Sequence, residues 1–223
     1  MRLQLVMGLV ISLLCAASAA RGQAVDPRAE AKAAIIQAYL SANTDSINRL
    51  IADAIRHGRL AVAQWPQDAE SHYWLAAALG RRTQRADITG ALRAGRESYR
   101  EARRALALDS THAGAHALIG RFQEDGARMA WPLRTMAAAV AGIAELRRVT
   151  LADAERSYRT AVRFAPNAIQ YRNDLGRFLA ESGRRAEAEE QWRIARELPT
   201  REPIEEWMRN DLRRRIDEAR RTR

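Results

Sequence analysis

His112 and His116 stand four residues apart, a spacing that on a helix can bring two imidazoles to one metal ion. A zinc site needs a third ligand, and the chain has no His-Glu-x-x-His pattern. Packing or capping between helices is therefore the expected role of this pair. Glu124 and Asp125 are neighbours, so on a helix their carboxylates diverge and do not share a proton. Glu187, Glu189 and Glu190 lie among arginines and read as a solvated face. No Ser-His-Asp order, phosphate-cradling glycine loop or nucleotide fingerprint occurs. The sequence thus points away from an enzyme and calls for no cofactor or metal. What remains is donor chemistry: Asn173 and Arg177 sit one turn apart, and with Arg121 they could grip a carboxylate or phosphate.

These residues need elements to carry them, and the chain repeats itself. Ala188-x3-Trp192-x2-Ala195 restates Ala154-x3-Tyr158-x2-Ala161 at an offset of 34 residues, and the same spacing occurs as Ala54-x3-Gly58-x2-Ala61 and Ser98-x3-Ala102-x2-Ala105. Each phrase is followed at a constant distance by a helix-ending site: Pro66, Ser110, Pro166 and Thr200. Partner helices are marked by Leu75-Ala76-x2-Leu79, Ile119-Gly120-x2-Gln123 and Leu175-Gly176-x2-Leu179. No segment reads as a strand; apolar residues recur three and four apart throughout. The 34-residue period and its small residues are those of the tetratricopeptide repeat, in which stacked helical hairpins bury a continuous core. An all-α superhelix of such hairpins is the expected fold.

The steps are unequal. From Ala61 to Ala105 is 44 residues, from Ala105 to Ala161 is 56, and from Ala161 to Ala195 is 34. The extra lengths fall near 80–88 and 127–149. The second contains Met129-Ala130-Trp131-Pro132 and the apolar run Met136 to Ile143, which suits a short extra helix laid against the superhelix. Residues 25–66 read as an N-terminal helical pair that caps the repeats of 67–203, and 204–223 as a C-terminal capping helix with a basic tail.

The stretch from Ser71 to Ile204 resembles the regulator of microtubule dynamics family of tetratricopeptide proteins. The resemblance is carried by His72-x-Trp74 before Ala78-Leu79-Gly80, by Ala105-Leu106-Ala107-Leu108-Asp109, by Ile119-Gly120-Arg121-Phe122, by the interruption with Trp131-Pro132, and by Ala195-Arg196-Glu197-Leu198-Pro199. It implies a non-catalytic domain that works by association. Arg172 and Gln123 depart from the repeat's aromatic preference, so neighbouring side chains are expected to fill those sites.

Counted from the repeat marks, the open face of the first helices carries Tyr73 and Arg81, then Ala117, Arg121 and Glu124, then Gln170, Asn173 and Arg177. A groove of this kind would take a protein or peptide partner, and the formal charge of +10 favours an acidic one. The alternative is a carrier of lipid or another amphipathic anionic small molecule, with 127–149 as a lid. Residues 1–24 read as a signal peptide cut after Ala19 or Ala24, so a periplasmic or secreted protein is expected. That placement argues against nucleic acid as partner and against carrying over a microtubule role. Beyond Cys15 in that leader the chain has no cysteine, which excludes thiol chemistry. The tail arginines could meet an anionic membrane, but the apolar face beside them (Trp207, Met208, Leu212, Ile216) is thin and better suited to docking on the last repeat.

Overall fold

The computed structural model describes residues 26–221. The leader expected at 1–24, its cleavage points and the last two residues lie outside the described residues. Among those described there are ten α-helices and no strand: α1 Pro27–Leu40, α2 Thr44–Gln64, α3 Ala69–Thr83, α4 Ile88–Leu108, α5 Ala113–Arg128, α6 Trp131–Ala141, α7 Leu151–Phe164, α8 Ile169–Glu181, α9 Arg185–Glu197 and α10 Pro203–Arg221. A short 3-10 turn, Ala144–Arg147, stands between α6 and α7.

The repeated phrase works as close-packing hardware. Ala54, Ala61, Ala105, Ala154, Ala161, Ala188 and Ala195 are fully buried, and at these points the second helix of each hairpin crosses its partner. The aromatic of the phrase fills the space left by a glycine opposite. A side chain begun at Gly176 would stand 2.6 Å from Cδ1 of Trp192, and one at Gly120 would stand 3.1 Å from Cδ1 of Tyr158. The hairpins are α1–α2, α3–α4, α5–α7 and α8–α9. The third closes although α6 intervenes between its helices.

Three of the four helix-ending sites are tied to the next helix by one recurring hydrogen bond to their carbonyl. His72 Nε2 lies 3.0 Å from the Pro66 carbonyl, His116 Nε2 lies 2.9 Å from that of Ser110, and Arg172 Nε donates to that of Pro166 at 2.8 Å. All three side chains stand six residues beyond the carbonyl they reach. Arg172 also donates to Gln191, and Ser157 donates to Gln123. The two departures from the aromatic consensus are thus satisfied by hydrogen bonds rather than covered by neighbouring side chains.

The first helices form an inner layer in which α1 packs on α3, α3 on α5, α5 on α8 and α8 on α10. Helix α10 then returns to α1, where Lys32 Nζ meets Glu202 at 2.6 Å. The inner layer is therefore a closed ring, with α2, α4, α7 and α9 outside it. The insertion lies on the outer side. Ala137, Ala138 and Ala141 of α6 pack with Ile143, Leu146 and Val149 against Leu92 and Tyr99 of α4 and Phe122 of α5. Gly142, at φ 65°, ends α6 in the left-handed region that favours glycine.

Candidate functional site

The ring interior is plugged at one end. Tyr73 stands early in α3, Gly114 early in α5 and Tyr171 early in α8, and the three meet. A side chain on Gly114 would lie 2.6 Å from Cζ of Tyr73 and 2.9 Å from the hydroxyl oxygen of Tyr171. Burial pushes both tyrosine hydroxyls above the ordinary phenol range, with a smaller influence of each on the other. Tyr73, expected on an open face, is instead only 6% exposed, because ring closure brings α8 across from α3. His112 and Trp74 pack on its ring at 4.7 and 4.8 Å.

The later turns of the same helices carry charge. Arg81 of α3 lies over the ring of Tyr39 from α1, with its guanidinium carbon 4.3 Å from the centroid, and donates to Gln84 at 2.8 Å. Its Nε is buried without a hydrogen-bond partner. Arg121 and Asp125 of α5 pair along their own helix at 3.2 Å, both partly in solvent. Gln170 is exposed, Ala117 is buried, and the Oδ1 of Asn173 is buried and unpartnered.

Arg177 is not available to a ligand in the way its spacing suggested. It donates to both oxygens of Glu124, at 3.0 and 2.7 Å, and to the hydroxyl of Tyr158 at 3.1 Å. Tyr158 in turn donates to Glu124 at 2.8 Å. Burial pushes the Glu124 carboxyl up, but the hydrogen bonds and charge of Arg177 outweigh it, with help from Tyr158, and hold it at about 2. This clamp ties α5 to α7 and α8. Adjacent Asp125 diverges from Glu124, as helix geometry requires.

Asp174, on the same inner face of α8, was not singled out from the sequence. Burial pushes its carboxyl up to about 6 against the pull of Arg177 and Arg121. Its residue surface is nevertheless partly accessible, so solvent screens part of this effect. Tyr39 and Tyr171 were missed as well. All three lie inside because helices distant in sequence close around them, and no local spacing signals that.

The sign of the pH dependence follows. A folded Asp174 near 6, against an ordinary 3.8, takes up a proton before the unfolded chain does, so the fold gains stability as pH falls from 7 towards 4. Asp174→Asn is expected to stabilise the protein at pH 7 by about 1–2 kcal/mol, allowing for partial solvent screening, and to add nothing near pH 4. Urea unfolding at the two pH values measures this. An equal effect at both would show that the carboxyl is not perturbed.

The paired histidines have separate duties. His112 caps α5, its Nδ1 accepting from the Ala115 N–H at 3.2 Å, and its Nε2 meets Glu70 at 3.0 Å. His116 holds the Ser110 carbonyl. Among the described residues no group of three or more His, Cys, Asp or Glu side chains is placed to hold a metal ion.

Stacked helical hairpins with a glycine–aromatic seam and an inner face of first helices define a tetratricopeptide-type repeat protein. The chain belongs to the family described as regulator of microtubule dynamics protein 1-3, whose sequence model matches residues 12–220. Among solved structures it is similar to TTC0263, a thermophilic tetratricopeptide protein of Thermus thermophilus. The identity is 21%, the match covers 88% of this chain and 82% of that one, and the TM-score is 0.58. MamA is a more distant likeness, at 20% identity over 66% of this chain and 67% of that one, with a TM-score of 0.39. The likeness to TTC0263 is one of fold. Curated proteins contain no match to this chain.

Proposed function

We propose that this protein is a non-catalytic interaction module that captures an acidic peptide segment of a partner protein at the charged end of its inner ring. The observation that carries this reading is Arg81. Its guanidinium is spread over Tyr39, has no carboxylate partner among the described residues, and keeps a buried Nε unpaired. A cation preorganised on an aromatic face presents its remaining donors to an incoming carboxylate at little entropic cost. Arg121 stands on the next inner helix, partly in solvent and paired along its own helix with Asp125. The charged lining favours a polar partner over the carrier reading, since lipid tails need an apolar wall. The leader-like residues 1–24 support an envelope or secreted setting.

The test is the double variant Arg81→Ala with Arg121→Ala, compared with the parent in affinity capture from an envelope extract and in titration with the peptide so identified. We expect affinity to fall about 30- to 100-fold with unchanged helical circular dichroism, in line with the loss of two charge-assisted contacts. Undiminished capture by the double variant would sink this reading. Arg177 is left out of the pair because its loss would act through the clamp with Glu124.

A further inference from the structure

Helix α6 is built inside out. The residues it turns towards α4 are the small ones, Ala137, Ala138 and Ala141. Leu133, Met136 and Val140 recur at helical spacing on the opposite side and are 51, 57 and 62% exposed. Pro132 and Ala139 extend the same face, which carries no charged residue. A helix with so little polar surface is normally buried on all sides. Among the described residues nothing covers this side, and an exposed apolar stripe of this kind marks a contact site.

The surroundings of the stripe are basic. The guanidinium of Arg96 reaches the end of α6, 3.8 Å from where a side chain on Gly142 would begin. Arg147 and Arg148 follow within the same insertion, both exposed. Arg134, by contrast, lies on the packed side of α6, donates to the Val149 carbonyl at 3.2 Å and keeps its Nε buried. Among the described residues none of Arg96, Arg147 and Arg148 has a carboxylate partner, and the one acid of the insertion is Glu145. Two copies of this surface would set arginines against arginines, so the charge disfavours self-association. The stripe is also a ridge: the small-residue side of α6 rests on α4, the 3-10 turn and Phe122 of α5, and among the described residues no helix runs beside the stripe to form a groove. A partner helix needs a groove to seat its apolar face, whereas a fluid bilayer accommodates a ridge.

We propose that the outer face of α6 docks this protein on an anionic phospholipid surface, with Leu133, Met136 and Val140 entering the headgroup–acyl boundary and the flanking arginines meeting phosphates. This does not rest on the peptide-capture reading, since the stripe is on the outer side of the ring. Among the described residues no helix is long and apolar enough to cross a membrane, so the contact is a surface one.

The test uses the full chain with Cys15→Ser and an environment-sensitive fluorophore on Met136→Cys, mixed with vesicles of phosphatidylcholine with or without phosphatidylglycerol. A matching label on Ala63→Cys, on exposed α2, reports any contact made by other parts of the chain. We expect the label at 136 to brighten and shift to the blue with anionic vesicles only. The label at 63 stays silent. The response is expected to fall about tenfold at roughly 0.5 M NaCl. Adding Leu133→Asp with Val140→Asp abolishes it without altering the thermal melt, because both sites are exposed. Silence at 136, or an equal response to neutral vesicles, overturns the proposal. So does a dimer in sedimentation that the two aspartates disrupt, or a response to an acidic protein with none to vesicles.

Discussion

Glu124→Ala is expected to lower the unfolding free energy by about 3–5 kcal/mol, the range for removing one partner of a buried ion pair. The residue is 1% exposed, and its two oxygens receive Arg177, the hydroxyl of Tyr158 and the half-exposed Arg128. Without it, the largely buried Arg177 guanidinium and the buried Tyr158 phenol lose their shared acceptor. Glu124→Gln keeps an acceptor for Arg177 and should cost less. Replacing both members, as Glu124→Leu with Arg177→Met, should lie closer to the parent than either single loss, because no buried charge is then left over. Urea unfolding of the four proteins measures this cycle. A loss below about 1 kcal/mol for Glu124→Ala would mean that Arg177 is served well enough by Glu181, which accepts from it at 3.1 Å, and the clamp would lose its importance. The pH dependence has a definite sign. A folded value near 2, below the ordinary 4.5, gives stability that is present above pH 4.5 and lost as pH falls towards 2. Asp174 acts in the opposite sense at higher pH, so the parent should be most stable between the two windows.

The second large effect lies at the seam of the last repeat. Trp192 is 4% exposed and fills the space opposite Gly176, and Trp192→Ala is expected to cost about 3–5 kcal/mol through lost burial and the cavity left behind. Gly176→Ala places a methyl group against the indole and should cost about 1–3 kcal/mol by overpacking. Together the two should cost clearly less than their sum, since the added methyl then meets a cavity. Additive losses would refute the direct clash. Trp192→Phe is the mild variant, because the indole N–H is buried with no partner and little is lost with it.

The second helices were legible because their demands are local. Small residues seven apart, with an aromatic between them in the last two hairpins, are read within one helix, and the facing glycines, Gly120 and Gly176, stand in the partner helices earlier in the chain. The capping of Pro66, Ser110 and Pro166 carbonyls by His72, His116 and Arg172 could have been found the same way, since the offset is constant. Had it been, His116 would have read at once as a helix tie. The candidate site was legible only in part. Arg81 and Arg121 stand on the inner face as the repeat register requires, but the same register placed Tyr73 on an open surface and left Arg177 free.

What the sequence determined by itself is the repeat: helix period, crossing points, caps and the stretched third hairpin all follow from short-range spacing and side-chain size. What only the tertiary structure decided is the inside of the ring and the outside of α6. Whether a donor such as Arg177 is free depends on a carboxylate 53 residues away, brought near by two intervening helices. Whether Tyr73 is a surface or a plug depends on α10 returning to α1. Whether the apolar insertion is core or docking face depends on which side α4 covers. Each is set by packing between distant elements, where small differences in crossing and closure choose the neighbours, and sequence spacing carries no record of that choice.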